Sequence, residues 1–164
     1  MLQDHLGPDL AILFCGTAAG KTSAVRGHYY AGPGNKFWGL LAQTGLTPRL
    51  LRPDEDHLLP GFGLGLTDLA KGVAGMDQEI PKAAFAPQVL AALITEWHPQ
   101  AVAFTSLAAA RLALGDKHLP EGRLPADPRW PNMALWALQS PSGANAHFSD
   151  RSWRDLAHWR RGLP

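Results

Sequence analysis

The chain has 164 residues, 46% of them hydrophobic, which suffices for one ordinary domain spanning residues 1–164 with a full core but hardly for two. Its formal net charge is +1, so no strong overall field marks a nucleic-acid binder, and basic residues must gather on one face to act electrostatically. A single cysteine, Cys15, excludes an internal disulfide framework and a thiol-rich zinc site. With no apolar run of about 18 residues and no basic-then-apolar start, a cytoplasmic protein that neither spans a membrane nor is secreted is expected.

Taken in chain order, Leu10-Ala-Ile-Leu-Phe-Cys15 is a continuous apolar run ended by Gly16, the pattern of a strand buried on both faces of a parallel sheet. A glycine-punctuated loop follows, and residues 35–44 have the spacing of an amphipathic helix stopped by Gly45. Residues 50–60 carry acids and prolines and predict loop mixed with a short helix, with Asp54, Glu55 and Asp56 as helix-start acids. Residues 62–68 predict a second strand and 71–80 a loop with two glycines. Helical apolar spacing returns over 85–97 (Val89, Leu90, Leu93, Ile94, Trp97), followed by a third strand at 101–106 and an alanine-rich helix at 107–114. Residues 120–131 hold four prolines and read as an irregular excursion. A fourth strand is expected at 133–138 and a closing helix at 149–161.

This alternation implies an α/β fold, a three-layer α/β/α sandwich with a mostly parallel central sheet of about four to five strands. Ligands of such sheets bind beyond the carboxyl ends of the strands. Chemistry is therefore expected after Cys15, after Leu66, at Thr105-Ser106 and after Leu138.

Three motifs fall in those places. Gly16-Thr-Ala-Ala-Gly-Lys-Thr22 comes close to a nucleotide phosphate loop, but that loop has four residues between its glycine and the Gly-Lys-Thr, and here there are three. A helix should follow directly, whereas Gly27, Gly32, Pro33 and Gly34 come soon after. An NTPase or nucleotide kinase using Lys21 and Thr22 remains one reading. The adjacent Tyr29 and Tyr30 either offer a flat face to an aromatic ligand or roof the core. Ser140-Pro-Ser-Gly-Ala-Asn145 either presents hydroxyls and amides to phosphate oxygens or forms an ordinary turn. The histidines lack the i, i+4 spacing or cysteine partners of a metal site; His28 could approach the pocket and His147 a DNA backbone.

Phe14-Cys-Gly16 with Gly20 and Ser23-Ala24, Ala31-Gly-Pro-Gly-Asn-Lys-Phe-Trp38, Gly45-Leu-Thr-Pro-Arg49, Gly63-Leu-Gly-Leu-Thr67 and Pro141-Ser-Gly143, in that order, resemble a known family across almost the whole chain. It is the mismatch-specific uracil/thymine-DNA glycosylases of the uracil-DNA glycosylase superfamily. The resemblance implies a monofunctional enzyme of base excision repair that flips uracil, or a related damaged or mismatched base, and hydrolyses its N-glycosidic bond with water. It implies no metal or other cofactor, and as partners double-stranded DNA containing uracil or mismatches, also single-stranded DNA, with the protein acting as a monomer. Carried over, the base-binding residues are Gly16, Thr17, Ala18, Tyr30, Asn35 and Ser140, and the DNA-binding residues Lys21, Ser23, Ser142, Gly143, Ala144, Asn145 and His147. No lysine sits where a Schiff base is expected.

The sequence departs from the family at three of these places. The family's first loop resembles Gly-Ile-Asn-Pro-Gly, with an asparagine that positions the attacking water, and Ala18 stands there instead. Ser140 replaces the asparagine of Asn-Pro-Ser-Gly, and Ala144 falls where the family has a bulky wedge. The catalytic role then passes to a carboxylate able to balance positive charge on the sugar and to orient or deprotonate water. Asp68 ends the Gly-Leu-Gly-Leu-Thr strand, where the family has a base-pocket asparagine or lysine, and Asp77 in the next loop is its rival. A non-catalytic binder of damaged DNA is the alternative that the missing asparagine favours.

Overall fold

A computed structural model describes residues 2–164. Five strands, β1 (Ile12–Gly16), β2 (Leu64–Asp68), β3 (Ala101–Phe104), β4 (Gly122–Leu124) and β5 (Ala134–Ala137), form one sheet in the order β2-β1-β3-β5-β4. All neighbours are parallel except β4 and β5.

The inner strands are apolar throughout because both faces are covered. Along β1, Ile12 and Phe14 enter one core, and Leu13 and Cys15 enter the other. β3 and β5 divide in the same period of two, Ala101, Ala103, Ala134 and Trp136 against Val102, Phe104, Leu135 and Ala137. The first core is closed by α2 (Phe37–Gln43), a 3-10 segment (Pro53–Phe62) and α5 (Arg151–Arg161). The second is closed by α3 (Pro87–Trp97) and α4 (Leu107–Leu114). The expected three-layer sandwich is thus present, with five strands.

Helix α5 shows how one stripe suffices. Trp153, Leu156 and Ala157 are buried at spacings of three and one, while Arg151, Arg154 and His158 stay outside. Trp153 lies over Phe14 with ring centroids 5.9 Å apart and planes at 19°.

Two elements correct the sequence reading. Lys21–Arg26 is a short helix, α1, where a loop was expected; it is too short to show periodicity, and it ends at Gly27, whose φ of 76° reverses the chain. Strand β4 lies inside the proline-rich excursion. Gly-Arg-Leu carries no strand pattern, and only its pairing with β5 makes it one. Among the described residues no helix is long and apolar enough to cross a membrane.

From β1 the chain crosses to β2 on one side and later to β3 on the other. The crevice left at such a switch point opens at the carboxyl end of β1, where Gly16 stands.

Candidate active site

Three strand ends meet in this crevice. Gly16 closes β1 opposite Asp68, the last residue of β2, and Thr105 follows β3 directly. The approach is tight: a Cβ on Gly16 would lie 2.6 Å from Oδ1 of Asp68, 3.3 Å from Oγ1 of Thr105 and 3.4 Å from the hydroxyl of Tyr30. Any side chain there would have to push the Asp68 carboxylate aside. The open cleft above them measures about 670 Å³ and is walled by residues 16–23, Tyr29, Tyr30, residues 75–79, Thr105, Ser106 and residues 140–145.

Tyr30 is fixed at both ends. Its ring stacks on Phe37, with centroids 4.0 Å apart and planes at 21°, and its hydroxyl is 3.0 Å from Oγ1 of Thr105. Its backbone holds a φ of 53°, a left-handed conformation that costs a bulky residue energy and persists where surroundings impose it. Phe37 covers one face of the ring, Tyr29 lies tilted beside it with centroids 6.1 Å apart, and the residue is partly exposed to the cleft.

Asp68 is half-buried, and loss of hydration pushes its carboxyl up from the usual 3.8 to about 7. Lys71 and the Gly16 amide pull it down, and Asp4 pushes it further up. Lys71 is itself held by Asp4 and, at 3.0 Å, by the Thr67 hydroxyl, which donates to Asp4 at 2.7 Å. Asp68 therefore titrates near neutrality at the floor of the cleft, as an acid–base group should. Asp77 is exposed on the cleft wall and accepts a 2.6 Å hydrogen bond from Oγ1 of Thr17.

The chain was compared with known families and solved structures. Residues 3–161 match the model described as Uracil DNA glycosylase superfamily. The chain belongs to the uracil DNA glycosylase superfamily. Its fold is similar to a solution NMR structure from Methanosarcina acetivorans, a candidate uracil DNA glycosylase, with a TM-score of 0.68 and 19% identity over 98% of this chain and 94% of the other.

Within this uracil DNA glycosylase fold, Gly16, Thr17, Ala18, Tyr30, Asn35 and Ser140 all line the cleft. Asn35 spends its Oδ1 accepting from the Phe37 N–H at 3.0 Å, so it organises the entry to α2. Ser140 accepts from the Ser142 N–H at 3.3 Å, and Ser142 from the Ala144 N–H at 3.2 Å. Asn145 donates to Gln139 Oε1 and to the Ser140 carbonyl, which stiffens the loop. The Lys36 N–H donates to the Pro141 carbonyl at 2.8 Å, and Gly143 packs so closely on Gly34 that an added Cβ would lie 3.3 Å from its carbonyl carbon. Lys21 lines the rim paired with Glu79 at 3.1 Å. Ser23 is buried and accepts the Ala31 N–H at 2.9 Å, clasping the tyrosine loop. His147 is exposed and lies outside the cleft wall.

Asp56 was read from the sequence only as a helix-start acid. It does sit in the first turn of the 3-10 segment, yet it is 2% exposed and accepts the Tyr29 N–H at 3.1 Å. His28 Nδ1 lies 3.3 Å and His5 Nε2 3.4 Å from its Oδ1, so His28 faces Asp56 behind the tyrosines. One buried carboxylate thus ties together the N-terminal segment, the 3-10 segment and the loop that carries Tyr30.

Proposed function

We propose that the protein is a monofunctional DNA glycosylase that turns uracil, or a related damaged or mismatched base, out of DNA and hydrolyses its N-glycosidic bond. The observation that carries this reading is the position of Asp68, at the floor of the cleft, 2.6 Å from where a Gly16 Cβ would be and beside Tyr30 and Thr105. Superfamily membership supplies the reaction class.

The flipped base stacks on Tyr30, as base–aromatic stacking is worth about 1–3 kcal/mol and tolerates any base. As the C1′–N bond breaks, the electron pair leaves with the base and positive charge grows on the sugar. An ionised Asp68 stabilises that charge and takes the proton of the water that attacks C1′. Ala18 carries no group for that work, which is why the carboxylate is assigned it rather than the first loop. Thr17 donates to Asp77 on the wall at 2.6 Å, and Asp77 is the rival for the role of catalytic carboxylate. Ser142, Gly143 and Lys21, on the cleft rim, are the contacts to the phosphates on either side of the flipped nucleotide. Double-stranded DNA with uracil or a mismatch is the preferred partner, because a mismatched base costs less to flip and Ala144 is a small wedge. Single-stranded DNA is a second substrate, and the protein works as a monomer without a metal.

Incubation with duplexes carrying uracil opposite guanine, followed by alkali and a sequencing gel, tests the reading. Strand scission at the uracil that persists in EDTA is expected. Tight binding to the same duplex without scission favours a non-catalytic damage binder, the second reading that Ala18 and Ser140 support. ATP turnover in place of either would return the Lys21-Thr22 loop to a nucleotide role.

A further inference from the structure

Tyr29 is held at its backbone and buried, yet its one polar side-chain atom has no partner among the described residues. Its N–H is held by Asp56, its carbonyl accepts from Trp38 Nε1 at 3.1 Å, and its ring meets His5 edge-on at 5.7 Å. The residue is 2% exposed, and its hydroxyl has no hydrogen-bond partner among the described residues. A phenylalanine would fill the same space without burying an idle hydroxyl, so packing alone does not account for a tyrosine.

The surroundings of the hydroxyl indicate its use. Tyr29 lines the same cleft as Asp68. Burial, and after it the charge of Asp68, hold its phenol far above the ordinary range, with Asp4, Tyr30 and Cys15 adding to the effect. Every one of those groups belongs to the carboxyl ends of β1 and β2 or to the segments packed on them. Tyr30 cannot serve in the same way, because its hydroxyl is committed to Thr105.

We propose that Tyr29 is a positioning residue whose hydroxyl donates the hydrogen bond that the Asp68 carboxylate takes when it becomes charged. Asp68 is faced by Lys71 from its own turn, Asp4 from the N-terminal segment, the Gly16 amide from β1, and Thr105 and Tyr30 from across the cleft. Lys71 is shared with Asp4 and Thr67, so among the described residues the ionised carboxylate lacks a donor of its own beyond Gly16. The bond requires Asp68 to turn, on gaining charge, toward a donor on the same cleft that is already desolvated and already fixed. No bond is made or broken by Tyr29. It holds Asp68 in the state that can accept the proton of the attacking water, and the inference rests on the reading of Asp68 as the catalytic carboxylate.

The test is Tyr29→Phe, read in two ways. A carbon-13 titration of the Asp68 carboxyl in the DNA-free protein needs no activity; its midpoint is expected to rise by about one pH unit in Y29F, since a donor to the charged form has been removed. Single-turnover base release should then fall roughly tenfold at pH 6.5 and recover to the wild-type rate near pH 9. In the unsubstituted protein the Tyr29 ring carbon bearing oxygen should shift as Asp68 titrates, and should stop doing so in Asp68→Asn. An unmoved Asp68 midpoint in Y29F, or a loss of rate equal at every pH, overturns the inference. A raised midpoint in a protein that releases no base from any duplex upholds the Tyr29–Asp68 link and overturns the glycosylase reading instead.

Discussion

Gly16 and Asp68 meet so closely across β1 and β2 that an added Cβ would be 2.6 Å from Oδ1 of the carboxylate as it stands. Gly16→Ala must therefore displace the carboxylate, because the β1 and β2 backbones around it are fixed by the ladder from Ile12↔Leu64 to Gly16↔Asp68. Overpacking of this kind costs about 1–3 kcal/mol in stability. The larger effect is expected on chemistry, a loss of about 10²-fold in single-turnover base release with a folded protein by circular dichroism. Unchanged rates would mean that Asp68 does not work from where it stands.

Asp68→Asn should trade activity for stability, with a pH signature. The carboxyl titrates at about 7 in the fold and at the usual 3.8 when exposed, so between those values the unfolded chain is charged and the fold resists charging. The stability that the neutral carboxyl contributes is complete below about pH 4 and is lost as pH rises through about 7. The asparagine variant escapes that loss. Calorimetry at pH 4 and pH 8 should show its melting temperature close to that of the wild type at the lower pH and above it at the higher, while base release falls about 10²-fold. If Asp77→Asn is the variant that abolishes release while Asp68→Asn keeps it, the carboxylates exchange roles.

Tyr30 gives a graded series. Tyr30→Ala removes the stacking face and should weaken productive binding by about 1–3 kcal/mol. Tyr30→Phe keeps the face and loses only the 3.0 Å contact with Thr105, worth about 0.5–1.5 kcal/mol. The concentration dependence of single-turnover rates separates the two, and equal damage from both would place the base elsewhere.

Asp56→Ala should impair the site without touching it. The substitution strips the buried Tyr29 N–H of its acceptor and releases His5 and His28 together, at a cost of about 1–3 kcal/mol for the orphaned amide. Lower thermal stability is expected along with slower base release, and hydrogen exchange at Tyr29 and Tyr30 should rise before exchange in the sheet does.

How far the sequence disclosed this depends on the distance over which each contact acts. The inner strands were legible because burial on both faces writes itself as a continuous apolar run, as in residues 10–15. The place of Asp68 at the end of the Gly63-Leu-Gly-Leu-Thr67 strand was legible from its motif, and the fold sets it at the carboxyl end of β2. Asp56 was not, since an acid at a helix start looks the same whether it meets water or, 27 residues away in sequence, the amide of Tyr29. The Thr17–Asp77 bond spans 60 residues and the Tyr30–Thr105 contact 75, and no local pattern announces either. Helix α1 and strand β4 escaped for the opposite reason: six and three residues are too few to carry a period.

The N-terminal segment does more than carry His5 to Asp56. His5 and Leu66 exchange both backbone hydrogen bonds, at 3.0 and 2.9 Å, on the side of β2 that faces away from β1. At the opposite border the sheet ends in the three-residue β4, with exposed Arg123 at its middle. Exposed strand borders are where sheets recruit strands from other molecules. Here one border is already occupied and the other is short and charged, so molecules of this protein crowded together are protected from joining their sheets edge to edge.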